Sequence, residues 1–138
     1  MPSVKSIHHV AVVVANLDAS LAFWQGALGM IPSGLREVPA EQARVAFLPL
    51  AESELELVQP TTSDSGLARF LENRGQGLHH VCLEVDDLPG MLLQLKSLGI
   101  RLINDEPRTG SDSRLYAFVH PESTGGVLVE LYQFIARL

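Results

Sequence analysis

Apolar and polar positions along this chain follow strand-like and helix-like periods in turn, and the same succession of them occurs twice. Ser6 to Val14 is β-branched, short and bounded by Ala15-Asn16, which predicts a strand. From Leu17 the apolar residues Leu17, Leu21, Trp24 and Leu28 recur at the spacing of one helix face, with Asn16 or Asp18 placed to cap the start and Gly29 to stop the helix. Met30 to Val38 reads as a strand that Pro32, Ser33 and Gly34 break or confine to an edge. After a turn at Pro39-Ala40-Glu41-Gln42, Arg44 to Leu50 and Glu54 to Gln59 form a strand pair around Ala51-Glu52-Ser53.

Pro60 to Gly66 is a loop-like run, and Leu67, Phe70 and Leu71 then predict a short helix ended by Asn73-Arg74-Gly75. The plan now repeats. Leu78 to Val85 is a strand, and Leu88, Met91, Leu92, Leu95 and Leu98 form a helical stripe with Pro89 tolerated in its first turn. Ile100 to Ile103 reads as a short strand and Glu106 to Ser113 as a polar loop. Leu115 to His120 and Val127 to Phe134 are strands around Pro121 to Gly126. Strand, helix and three strands, twice over, predict an α+β fold with helices on one face of a mixed sheet. The expected layout is a single domain, 1–138, with a first βαβββ module at about 6–60, a connector at 61–76 and a second module at 77–135.

The repetition extends to residue identity. Ile7 to Leu17 reads I-H-H-V-A-V-V-V-A-N-L and Gly77 to Leu88 reads G-L-H-H-V-C-L-E-V-D-D-L, so His8 and His9 recur as His79 and His80, and Leu17 as Leu88, at one offset of 71 residues. Leu28-Gly29 recurs as Leu98-Gly99, and L-E-L-V-Q at Leu55 to Gln59 recurs as V-E-L-Y-Q at Val129 to Gln133. A duplicated module follows, each copy supplying one His pair and one strand-borne Glu.

Composition narrows the functions. The 138 residues are 46% hydrophobic and 19% charged, which is globular. A net charge of −6 without a Lys/Arg cluster argues against nucleic acid, and a polyanionic ligand would need local help from Arg36, Arg44, Arg108 or Arg114. Cys82 is the only cysteine, so no internal disulfide forms; with no signal-like N-terminal run and no span of ~20 apolar residues, the expectation is a cytoplasmic protein away from membranes.

Strand parity selects the candidate chemistry. Side chains alternate faces, so His80, Cys82 and Glu84 share one face of their strand while His79, Val81, Leu83 and Val85 share the core face. By the same rule His9 separates from His8, Val10 and Val12; Glu56 from Leu55 and Leu57; and Glu130 from Val129 and Leu131. His9, Glu56, His80 and Glu130 therefore occupy equivalent places on the face that the helices leave uncovered. Imidazole nitrogen and carboxylate oxygen suit a divalent transition metal at ~2.0 to 2.2 Å, with open positions left if the ion is six-coordinate. Such an ion polarises a substrate carbonyl, and a nearby carboxylate can take a proton from the adjacent carbon.

Other residues have plainer roles. His8 and His79 read as packing groups or hydrogen-bond partners behind the ligands, Cys82 as a small buried filler on the cavity side, and Glu84-Asp86-Asp87 as a strand-end cluster near a helix start. His120, before Pro121, reads as a turn residue and as a candidate for touching substrate.

Taken together, these residues resemble the vicinal oxygen chelate superfamily and, within it, the methylmalonyl-CoA epimerase family. The resemblance rests on I-H-H-V-A-V-V-V (Ile7 to Val14), L-E-L-V-Q-P (Leu55 to Pro60), D-S-G-L-A-R-F-L-E-N-R-G (Asp64 to Gly75), G-L-H-H-V-C-L-E-V-D-D (Gly77 to Asp87), D-E-P-R (Asp105 to Arg108) and H-P-E-S-T-G-G-V-L-V-E-L (His120 to Leu131). It implies a glyoxalase/bleomycin resistance/dioxygenase-like fold, an eight-stranded sheet curled around a metal held by His9, Glu56, His80 and Glu130. The implied ion is Co2+, with Zn2+, Mn2+ and Ni2+ as alternatives, and the implied assembly a homodimer. The implied reaction is epimerisation of (R)- and (S)-methylmalonyl-CoA through a metal-stabilised enolate, an isomerase on an acyl-CoA with Glu130 as a proton-transferring carboxylate and His120 as a substrate contact. Two departures stand out: R-V-A-F at Arg44 to Phe47, where some relatives carry an additional glutamate, and Gly110-Ser111-Asp112-Ser113 in place of the family's Gly-Ala-His-Gly, which bears on substrate identity. A glyoxalase I-type lactoylglutathione lyase, an extradiol dioxygenase and a non-enzymatic small-molecule binder of the same superfamily are the competing readings.

Overall fold

The computed structural model of the protein describes residues 1–110 and 113–135. The expected departure at Ser111 and Asp112 lies outside the described residues. The chain divides into two compact units, His9–His79 and Met1–His8 with His80–Leu138.

Strand β1 (Val4–Val13), which enters the first unit at His9, is followed by helix α1 (Leu17–Leu21), which continues as a wider π-helical turn over Ala22–Ala27. Strands β2 (Gly34–Val38), β3 (Ala43–Pro49) and β4 (Glu54–Pro60) come next, then helix α2 (Gly66–Arg74). β4 lies antiparallel to β3 and parallel to β1, with Ala11 beside Glu56 and Val13 beside Val58. β2 is an edge strand, as Pro32 and Gly34 lead one to expect. Leu17 and Leu21 of α1 cover Ala46, Leu48 and Leu57. Fully burying a leucine contributes about 2 kcal/mol, so this one-sided stripe is what docks a helix too short to stand alone.

The plan repeats with β5 (Gly77–Val85), which enters the second unit at His80, then α3 (Leu88–Ser97), β6 (Arg108–Thr109), β7 (Arg114–Val119) and β8 (Leu128–Phe134). β5 and β8 are parallel, with Cys82 beside Glu130, and β7 is antiparallel to β8. Leu88, Met91 and Leu92 bury against Val85, Ala117, Val119 and Leu131. The strands form one open, mixed eight-stranded sheet in the order β2-β3-β4-β1-β5-β8-β7-β6. No helix of the described residues is long and apolar enough to cross a membrane.

The helix ends explain why two dissimilar sequences give the same turn. Asn16 accepts from the Ala19 amide at 3.0 Å, and Asp87 from the Gly90 amide at 3.0 Å, so Asn16 and not Asp18 caps α1. A second tie reaches each helix from the last strand of its unit. Gln59 accepts from the Leu17 amide and Gln133 from the Leu88 amide, both at 2.7 Å. At the far ends Gly29 and Gly99 take φ of 77° and 75°, the left-handed cap that stops each helix.

Two expectations need correction. Ile100 to Ile103 forms no strand; only the bridge between Leu102 and Val119 survives, because the Asn104 side chain accepts from the Phe118 amide at 2.8 Å and turns the chain away. The strand paired with the start of β7 is instead Arg108–Thr109, within the run expected to be a polar loop. The helices also do not all share one face. Leu67 of α2 packs with Ala11, Ala43, Val45 and Val58, on the face of β4 that bears Glu56.

Replacing Gln59 or Gln133 by alanine is expected to lower unfolding stability by about 1 kcal/mol each, the amide beneath a buried leucine losing its acceptor, as read by chemical denaturation. A separate prediction concerns acid. Asp86 accepts from the Ser3 amide at 2.8 Å and the Ser3 hydroxyl at 2.9 Å, and these bonds, the backbone one foremost, hold its carboxyl below the usual value of 3.8. A depressed carboxyl contributes stability above its unfolded value and loses it as pH falls through the folded one. Protection of the Ser3 amide against hydrogen exchange is therefore expected to hold at pH 5 and to fall away below about pH 3.8, and Asp86→Asn to remove that pH dependence.

Candidate metal and proton-transfer site

Within the unit His9–His79, parallel pairing of β1 with β4 sets Glu56 beside Ala11, and strand alternation puts His9, two residues earlier, on the same face. His9 Nδ1 lies 3.4 Å from Glu56 Oε2, and His9 is only 4% exposed. Across the antiparallel ladder Phe47 of β3 stands opposite Glu56, with the Arg36 guanidinium 4.5 Å above its ring.

The second unit builds its pair by the same steps. Cys82 sits beside Glu130, His80 is two residues earlier on β5, and His80 Nε2 lies 3.1 Å from Glu130 Oε1. Glu130 is 7% exposed and Cys82 fully buried. Phe118 of β7 stands opposite Glu130, its ring meeting His80 edge to face at 5.9 Å. Each unit thus brings one imidazole nitrogen to one carboxylate oxygen on a largely dry surface, where a charged carboxylate is costly without a cation or a protonated partner.

The two phenylalanines were not singled out from the sequence, yet a signal existed. Ala46-Phe47 recurs as Ala117-Phe118 at the same offset of 71 that relates the His pairs. Both alanines are fully buried. R-V-A-F accordingly carries a duplicated aromatic neighbour of the glutamate, and Val45 in it is buried.

The remaining candidates separate clearly. His8 packs edge-on to Tyr132 at 4.8 Å and beside Phe134 at 5.5 Å; His79 packs edge-on to Phe70 at 4.9 Å. Asp87 is a helix cap, Asp86 holds Ser3, and Glu84 faces Lys5 at 3.7 Å. His120 follows β7, and its Nδ1 accepts from the Glu122 amide at 3.0 Å, capping the turn Pro121–Ser123. Among the arginines, Arg114 lies 4.5 Å above Tyr132, Arg44 faces Asp18 at 3.8 Å and Arg108 sits in β6.

Residues 8–118 match the Glyoxalase/Bleomycin resistance protein/Dioxygenase superfamily. The mitochondrial methylmalonyl-CoA epimerase of Mus musculus is 38% identical over 92% of this chain and 72% of its own length. The ethylmalonyl-CoA/methylmalonyl-CoA epimerase of Cereibacter sphaeroides is 35% identical over 92% of this chain and 96% of its own. A Streptomyces coelicolor methylmalonyl-CoA epimerase variant in complex with 2-nitronate-propionyl-CoA superimposes with a TM-score of 0.86 at 29% identity, covering 97% of this chain and 100% of that one. With its duplicated His and Glu pairs, its mixed eight-stranded sheet and these relatives, the chain belongs to the glyoxalase/bleomycin resistance/dioxygenase superfamily and, within it, to the methylmalonyl-CoA epimerases.

Proposed function

We propose that the protein interconverts (R)- and (S)-methylmalonyl-CoA with one divalent metal ion held by His9, Glu56, His80 and Glu130. The observation that carries this reading is the double occurrence, once in each unit, of an imidazole nitrogen beside a carboxylate oxygen, in a chain 35% to 38% identical to proteins named as epimerases of this substrate. Two nitrogen and two oxygen donors fit a divalent transition ion, and a six-coordinate ion keeps two positions for a bidentate acyl group. Family resemblance makes cobalt the first ion to test, then zinc, manganese and nickel, and a homodimer the assembly to look for. A single cysteine is in keeping with a cytoplasmic setting.

When bound, the ion supplies Lewis acidity worth several kcal/mol to negative charge developing on the thioester oxygen. Proton movement falls to the chain's own groups. Glu130 takes the C2 proton as general base, C2 flattens, and an acid in exchange with solvent adds a proton to its opposite face while Glu130 returns its own to solvent, leaving the other configuration. Nothing is oxidised or reduced and no atom is gained or lost. Cys82 and Phe118, the neighbours of Glu130 across the sheet, keep water from its flanks. His120 serves as a substrate contact: with Nδ1 accepting from Glu122, the neutral ring carries its proton on Nε2 and can donate to an acyl oxygen.

Protein loaded with Co2+ is expected to exchange the C2 proton of methylmalonyl-CoA for deuterium from D2O, to stop when a chelator strips the ion, and to resume on its return. Glu130→Gln keeps an oxygen donor in place but no base, and is expected to slow the exchange by at least about 100-fold while still holding metal. Metal-loaded wild-type protein that leaves C2 unexchanged would end the epimerase reading.

A further inference from the structure

We infer that Gln59 and Gln133 are positioning residues for the two glutamates, each fixing from the far side of its strand where a carboxylate stands. Neither is a candidate ligand. Gln59 lies three residues after Glu56, and Gln133 three residues after Glu130, so each points to the face opposite its glutamate. On that face Gln59 accepts from the Leu17 amide and Gln133 from the Leu88 amide, at an identical 2.7 Å. Leu17 and Leu88 are the first residues of α1 and α3, and both are fully buried, so neither amide can turn to water instead.

The physical need is positional. A buried leucine face sets the register of each strand to the residue, whereas a functional side chain must be held to within about 0.5 Å by the bonds that support it. The glutamine ties the strand to a helix whose place is independently set by its buried leucines, and in the second unit Leu88, Leu92 and Leu131 belong to one core cluster. Glu130 is thereby referenced to the core through Gln133, and Glu56 through Gln59. That both copies kept the same bond at the same distance, while the caps beside them differ as Asn16 and Asp87, singles out the glutamine as the shared part.

The catalytic weight of this brace rests on the proposed epimerase reading, whereas its geometric effect does not. In metal-free protein, Gln133→Ala is expected to move the imidazole NMR signals of His80, which report its 3.1 Å contact with Glu130. Co2+ affinity and kcat for C2 exchange are each expected to fall about 10-fold with KM changed less than about twofold, the size of effect seen when groups behind a metal ligand are lost. Gln133→Glu keeps an oxygen acceptor at a helix N-terminus and is expected to restore all three readouts. A merely structural role would lower the melting temperature of Gln133→Ala and leave the His80 signals and Co2+ affinity of the folded protein unmoved. Unmoved His80 signals in folded Gln133→Ala, or failure of Gln133→Glu to restore them, overturns the inference. Because those signals are read without metal or substrate, they judge the brace even where the wild type proves to lack exchange.

Discussion

Parallel pairing of the first and last strand of each module is the constraint on which the site depends. In a parallel pair, residues side by side point the same way, so Glu56 beside Ala11 and Glu130 beside Cys82 share a face with the histidines two positions earlier. A slip of one residue in either pair would turn the carboxylate into the leucine core. Parallel strands also cannot be joined by a tight turn; they need a crossover, here carrying α1 or α3. The helix is therefore part of the geometry that makes a His–Glu pair, beyond covering the core.

Much of this was legible in the residues, for definable reasons. The His and Glu motifs recur at nearly one offset, and alternation along a strand is rigid enough to sort His9 from His8 and Glu130 from Leu131 without coordinates. The module's strands and helices were equally readable, because Leu17, Leu21, Leu88 and Leu92 repeat at helical spacing and Gly29 and Gly99 can adopt a left-handed turn. What escaped depends on side chains reaching across sequence. Asn104 bonding to the Phe118 amide converts an apparent strand into a loop, and β6 exists only because β7 offers Arg108 and Thr109 a partner. Phe47 and Phe118 gain a role only where the ladders set them opposite the glutamates. Gln59 and Gln133 were visible as repeated letters, but a polar residue among leucines gives no hint that a helix amide waits for it.

Charge follows a second logic. The chain is acidic, and several of its cations are held close to home. Lys5, Arg44, Lys96 and Arg101 face acidic side chains, while Arg36, Arg74 and Arg114 lie over aromatic rings. Exposed pairs of this kind contribute little to stability. With a net charge of −6 the chain offers an anionic ligand no long-range attraction overall, so its recognition falls to short-range groups.

The opening residues have a stake in both halves of the chain. Val4 to His8 belong to the unit completed by His80 and beyond, whereas His9 onward belongs to the other, although all sit in one strand. On a ribosome the chain emerges at about 5 to 20 residues per second, so the first few residues must stay unpaired for on the order of ten seconds before their neighbours in the later unit exist. Val4 and Ile7, about half exposed even in the finished fold, are then fully open to solvent. Nascent chains therefore pass through an interval in which the apolar positions of this half-strand have no partner.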